Sequence, residues 1–273
     1  MLEKLLTSGT AVNSRDQEGR TALSHAAEAG SKECVRLLLD SGAAVNAAAG
    51  IVKGNYLKRH ESGRIPLHWA AISGQVEVVT LLLDRGARIE SKGSTSERTA
   101  LQEAASHDQY EVVKLLLGQK AEVNSRTHYG WTALHTAAQR RNPRLVELLL
   151  QHGANANAVY RKVRDFVKPP AKDLVPLHLV IVSEPVSGSR QDGIAVLELL
   201  LRVGKARISK QDSAGATALH YAVRGQRADA VEVLLKHARK EDVAIKDALG
   251  KTALDWAVHA EYEDIVAQLT AFK

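Results

Sequence analysis

A four-residue pattern recurs along this chain, and a Leu-rich stretch follows every copy. Thr-Ala-Leu-His stands at Thr132–His135 and Thr217–His220. Close variants begin at Thr21, Ile65, Thr99, Val175 and Thr252. The stretches that follow are Val35–Leu39, Val78–Leu83, Val112–Leu117, Val146–Leu150, Val196–Leu201, Val231–Leu235 and Ile265–Leu269. A unit this short cannot bury its own apolar surface. It is stable only when stacked on neighbours, so the period constrains the fold more than any single residue does.

The stretch 130–157 shows what one unit becomes. Thr132 stands where a helix N-cap belongs, with a hydroxyl for an orphan backbone N–H. Ala133, Leu134, Ala137 and Ala138 give the first helix a narrow face of small residues. Asn142-Pro143 restarts the chain: Asn caps, and Pro is tolerated in the first helical position because its missing N–H costs nothing there. Leu145, Val146, Leu148, Leu149 and Leu150 make the second helix apolar over more than one face. Gly153 supplies a left-handed C-terminal turn. Ile65 and Val175 lack the capping hydroxyl, and each is followed by a Pro with helix-like φ.

Most spacings are near the roughly 33 residues of ankyrin repeats, and the tetrad matches that family's Thr-Pro-Leu-His signature. The chain resembles an ankyrin-repeat protein over essentially all 273 residues. The resemblance implies an all-α solenoid of helix–turn–helix units with β-turn fingers, running as a single solenoid over 1–273. Full copies are expected at about 19–46, 63–90, 98–124, 130–157, 174–209, 215–247 and 250–273. Residues 2–18 read as the second half of a copy, so the chain is expected to be a monomer or part of a longer one. The last copy carries Glu261, Glu263, Asp264 and Gln268, the polarity of a C-terminal cap.

Three places break the period. Residues 47–62 and 158–173 fall in one structural slot, the finger between consecutive copies. Residues 183–193 lengthen the turn between the two helices of the fifth copy. All three are expected as inserted loops, and such insertions often lie on a binding face.

Charge separates these segments from the rest. The formal net charge is +6. Lys53, Lys58 and Arg59 against Glu61 give +2. Arg161, Lys162, Arg164, Lys168 and Lys172 against Asp165 and Asp173 give +3, so the two finger insertions hold five of the six charges. Both also carry aromatics, at Tyr56, Tyr160 and Phe166. Aromatic and cationic side chains together suit acidic peptides or phosphate-bearing ligands. Lys and Arg are too sparse along one face for a typical nucleic-acid footprint. An acidic protein segment is therefore the first expected partner, with a nucleic-acid or other polyanion second.

Catalytic and metal chemistry find little support. His68, His135, His178 and His220 share the fourth tetrad place, one repeat apart, whereas metal ligands must converge on one point. The family resemblance implies that this side chain bonds to backbone in the neighbouring finger. Ser24, Gln102 and Asp255 fill the place in other copies. No GxxxxGK[ST] phosphate loop and no Cys/His pairs at zinc spacing occur. No enzyme, cofactor or metal is expected, and an enzyme with a site assembled across repeats is the last alternative. The single cysteine, Cys34, precludes an intramolecular disulfide and points to a reducing compartment, cytoplasmic or nuclear. No apolar run approaches membrane-spanning length, and no membrane contact is expected.

The expected partner surface is the inner face of fingers and first helices. Its expected exposed positions are Trp69, Ile72, Ser106, His107, Tyr129, Trp131, Gln139, Arg140, Arg141, Tyr221 and Arg224. Aromatics and Arg anchor protein interfaces. Tyr129 and Trp131 flank the finger glycine Gly130 and stand out as anchors. Arg141 replaces the Gly30 and Gly74 of earlier copies at a left-handed turn, fitting either a retained basic contact or drift. Lys58, Arg59, Arg161, Lys162, Arg164 and Lys168 complete the expected surface as the basic loops.

Overall fold

The computed structural model describes residues 11–50, 62–94, 97–161, 172–182 and 188–272. It forms two compact units, residues 1–128 and 129–273. The all-α class holds: among the described residues there are fifteen helices, and the extended pairings are isolated bridges.

The first unit contains three helix pairs: α1 (Ala22–Ala29) with α2 (Lys32–Asp40), α3 (Pro66–Ile72) with α4 (Val76–Asp84), and α5 (Ala100–Ser106) with α6 (Tyr110–Gly118). The second contains α7 (Ala133–Gln139) with α8 (Pro143–Gln151), α9 (Pro176–Val182) with α10 (Arg190–Arg202), α11 (Ala218–Arg224) with α12 (Ala228–His237), and α14 (Ala253–His259) with α15 (Glu263–Ala271). A short α13 (Lys240–Val243) lies between the last two pairs. Within each unit, first helices pack on first helices and second on second. The apolar positions of the tetrads and Leu-rich stretches form one continuous core per unit, with Leu67, Leu82, Leu101, Leu116, Leu177 and Leu197 fully buried.

The caps follow the sequence in most copies. Thr21, Thr99 and Thr252 accept the backbone N–H three residues on. Asn142 caps α8 by accepting the Leu145 N–H at 3.0 Å, and Gly153 is left-handed at φ +83°. Thr132 differs from expectation. Its hydroxyl lies 2.8 Å from His135 Nδ1 instead of taking a backbone N–H, because the buried imidazole offers a nearer acceptor. Ile65 and Val175 keep the reciprocal half of the cap: their N–H groups reach His68 Nδ1 at 3.2 Å and His178 Nδ1 at 3.4 Å.

The fingers form a backbone ladder. Gly50 N–H donates to Gly19 O and Ser94 N–H to Ser62 O in the first unit. In the second unit, Arg161 N–H donates to Tyr129 O, Ser213 N–H to Lys172 O and Ala248 N–H to Ala214 O. These approaches explain the finger glycines. A Cβ on Gly19, at φ +71°, would sit 2.5 Å from Gly50 N. Both finger insertions keep the base of an ordinary finger. Ala49 pairs with Arg64 and Gly63, and Tyr160 exchanges two bonds with Leu174 at 2.8 and 3.0 Å. Ordinary fingers close similarly, as Asp212 N–H does on Ala216 O at 3.0 Å.

The third interruption is shorter than expected as a loop. Residues 190–193 are the first turn of α10. The Ser189 hydroxyl accepts the Asp192 N–H at 3.0 Å, and the Asp192 carboxylate accepts the Ser189 N–H at 2.8 Å, a reciprocal cap that starts the helix early.

Candidate interaction surface

Much of the expected inner face is committed internally. In the first unit Trp69 is buried between two guanidinium groups. Arg20 stacks on its ring at 3.7 Å and Arg64 lies at 5.2 Å, a doubled cation–π arrangement. Arg20 also pairs with Glu28. Arg64 bonds the fully buried Glu103 at 2.8 Å, and Arg98 lies 3.7 Å from the same carboxylate. The Arg residues directly preceding three successive tetrads thus form a paired column. Aligning the copies would have exposed it. Ile72 is half-buried, with its carbonyl accepting Gln109 Nε2 at 3.1 Å. Ser106 donates to Glu103 O at 2.9 Å, and His107 is exposed.

In the second unit the expected exposure of Trp131 gives way to burial at 6%. Its ring stacks on His135 (5.2 Å between centroids) and meets Tyr160 edge-on (4.6 Å), while Nε1 donates to Thr136 Oγ1 at 2.7 Å. Packing this large ring gains more than exposing it. Tyr221 is likewise buried, and its hydroxyl donates to Asp212. Burial, reinforced by that carboxylate, pushes the phenol pKa well above its ordinary value. Arg224 is half-buried. It bonds Asp247 at 3.1 Å and lies 4.9 Å from the Trp256 ring, whose Nε1 donates to Asp247 at 2.8 Å. Burial opposes ionisation of Asp247, but bonds from Trp256 and the Lys251 and Leu249 amides outweigh it and hold the carboxyl below its usual value. Asp16, Asp212 and Asp247 each stand five residues before a Thr and accept their own finger's amides. That spacing is the signal by which sequence could have found them.

Arg141 is buried, and its burial overturns the surface contact considered for it. Its φ is +52°, but left-handed non-glycine residues also stand at this inner turn in Asp108, Gln226 and Glu261, so the strain is general. Its Nε donates to Val180 O at 3.2 Å. Gly188 and Gly193 make room for it: a Cβ on Gly188 would lie 2.5 Å from Arg141 O, and one on Gly193 3.1 Å from Arg141 Cδ. The entry into α10 in the fifth copy is thus fitted to an arginine of the fourth. Gln139 and Arg140 are half-buried, and Arg140 O accepts the Gly188 N–H at 3.1 Å.

The exposed members of the expected surface in the second unit lie on one finger edge. Tyr129 is 47% exposed. Its carbonyl accepts the Arg161 N–H at 2.9 Å, and the Arg161 side chain is 78% exposed, 4.0 Å from Asp173. Lys58, Arg59, Lys162, Arg164 and Lys168 lie outside the described residues. Among the described residues no group of three or more His, Cys, Asp or Glu could hold a metal ion, and no helix is long and apolar enough to cross a membrane.

The tetrad histidines tie copies together. His68, His178 and His220 donate through Nε2 to the carbonyls of Arg98, Lys210 and Lys251, at 3.1, 3.0 and 3.0 Å. Gln102 makes the same bond to Ser125 O at 2.8 Å. With Nδ1 accepting and Nε2 donating, the neutral ring is the form that fits. Burial lowers the pKa of all three, that of His178 to about 4.

Helix pairs of this pattern, finger ladders and tetrad bonds together define a repeat protein. The family model described as "Ankyrin repeats (3 copies)" matches residues 1–93, 88–160 and 188–272. The chain belongs to the ankyrin-repeat family. It is 30% identical over 151 residues to a mitochondrial disaggregase of Bos taurus, covering 53% of this chain and 19% of that protein. It is 31% identical over 117 residues to inversin of Canis lupus familiaris, covering 42% and 9%. It is 31% identical over 104 residues to alpha-latrotoxin-Lh1a of Latrodectus hasselti, covering 38% and 6%. The chain spans under a fifth of each of these relatives, whose whole proteins differ from one another. Ankyrin repeats are in general a protein-interaction fold, and the family is generally non-enzymatic.

Proposed function

We propose that this chain binds a protein partner along the finger edge of its second unit, around Tyr129 and Arg161, and that it does so without catalysis. The carrying observation is that an exposed tyrosine and an arginine with an exposed side chain share one backbone hydrogen bond at the base of the basic insertion. Aromatic and Arg side chains are the commonest interface anchors. The positive charge of the insertion favours an acidic partner segment and mainly raises its encounter rate. The half-buried lone Cys34 fits work in a reducing compartment, cytosol or nucleus.

Replacing Tyr129 and Arg161 together by Ala is expected to weaken partner binding at least tenfold, with unchanged thermal unfolding. Trp131→Ala, in contrast, is expected to cost roughly 3–5 kcal/mol of stability, because it empties the aromatic cluster. Affinity measured by titration alongside thermal melts separates the two. Parent-like binding by the double variant would place the partner elsewhere. A steep log–log fall of affinity with salt would instead point to a nucleic-acid backbone.

A further inference from the structure

The back turns, which join each second helix to the next finger, carry a clamp of their own. Asn13 donates to Gly42 O at 3.2 Å and accepts the Ala44 N–H at 2.7 Å. Asn46 repeats this on Gly86 O and the Arg88 N–H, at 3.1 and 2.9 Å. Asn157 repeats it on Lys205 O and the Arg207 N–H, at 3.3 and 2.8 Å. Ser209 stands in this register one copy later and, among the described residues, makes no such clamp. The turn it faces is lengthened by α13. A cavity of about 550 Å³ opens there, between the Lys205–Ser209 turn and the residues His237, Arg239 and Asp242.

Its lining carries a cationic excess, with Lys205, Arg207 and Arg239 against Asp242. Lys205, Arg207 and Arg239 have no side-chain partner among the described residues. The carboxylates nearby are engaged: Asp242 accepts the Arg239 N–H at 2.8 Å, and Glu198 lies 3.1 Å from His237. Lys205 is also held left-handed at φ +50°, where Gly42 and Gly86 stand in earlier back turns. A missing clamp, two altered turns and three cations without an ion pair coincide at one cleft.

We propose that this cleft binds a small anion carrying two or more phosphoryl groups. The volume lies within the roughly 300–1,000 Å³ of small-ligand sites. Three cations from two turns call for several negative charges in a compact body. Guanidinium forks match phosphoryl oxygens, and a concave basic wall concentrates the field. An acidic peptide spreads its charges along the chain at about 3.3 Å per residue, which fits an extended groove better than cations gathered on two neighbouring turns.

The test is calorimetric titration of the full chain at physiological ionic strength. One arm uses sodium tripolyphosphate. The other uses phosphatidylcholine vesicles carrying a phosphatidylinositol bisphosphate. The parent is expected to bind tripolyphosphate at one site. Arg207→Ala with Arg239→Ala is expected to weaken this at least tenfold, and Lys205→Gly several-fold, since glycine suits that turn and preserves the fold. Arg161→Ala should bind as the parent, which separates this cleft from the proposed partner edge. Binding to vesicles, lost in the double variant, supports a lipid headgroup as the source; binding to tripolyphosphate alone supports a soluble ligand. No binding of either probe by the parent overturns the proposal, as does equal binding by parent and double variant. So does binding of polyglutamate without tripolyphosphate.

Discussion

His178 shows how one side chain couples folding to pH. It is fully enclosed, its Nδ1 accepts the Val175 N–H, and its Nε2 donates to Lys210 O. Burial lowers its pKa from 6.5 to about 4. Above pH 6.5 both folded and unfolded chains carry it neutral, and its contribution to stability is fully present. As pH falls from about 6.5 to about 4, only the unfolded chain takes the proton, so stability drops, by about 3 kcal/mol over the whole window. His68 and His220 act in the same direction. Gln102 makes the corresponding bond to the next finger without titrating there. His178→Gln is therefore expected to fold and to flatten the pH dependence. Urea midpoints at pH 7.5 and 5 check this, and an unchanged drop in the variant would assign the effect to other groups.

Elements in this protein are fitted to their neighbours more than to themselves. The clearest case is the start of α10, where Gly188 just before the helix and Gly193 in its first turn receive Arg141 from the preceding inner turn. Gly188→Ala forces a Cβ against Arg141 O and is expected to cost about 1–3 kcal/mol. Arg141→Gly relieves a left-handed residue, worth on the order of 1 kcal/mol. It also removes a charged donor from Val180 O, worth about 1.5–3 kcal/mol. The net expectation is a loss of about 1 kcal/mol, measurable as a lower urea midpoint. A more stable Arg141→Gly chain would show that the bond to Val180 contributes little. The finger insertions follow the same logic: their bases repeat an ordinary finger, so the ladder tolerates added chain.

At the scale of the whole molecule, stability is expected to be local. Contacts run between adjacent helix pairs within a unit, so a defect is felt chiefly by its neighbours. Leu82 and Leu234 are fully buried, one in each unit. Leu82→Ala and Leu234→Ala should each cost roughly 2–5 kcal/mol and should add in the double variant. Hydrogen exchange should quicken in α1–α6 for the first and in α9–α15 for the second. Uniform quickening across both units would show one cooperative block instead. Family membership, helix pairs, the buried Leu stripe and the tetrad bonds were all legible from periodicity, because stacking one unit leaves few ways to place its apolar face. The surface was less legible. Trp69, Trp131, Arg141 and Tyr221 carry the residue types of an interface, yet their burial and bonding depend on residues far off in sequence, at Arg20, Tyr160, Val180 and Asp212.

The sequence by itself determined that helix pairs form and what repeats along them, since a period of apolar and capping residues is a local property. Only the tertiary structure decided which aromatic and basic groups are buried and which stay exposed. Neighbouring copies bring carboxylates, rings and carbonyls over Trp69, Trp131, Arg141 and Tyr221 and leave Tyr129 and the Arg161 side chain at the surface, and those neighbours are set by stacking and not by adjacency in the chain.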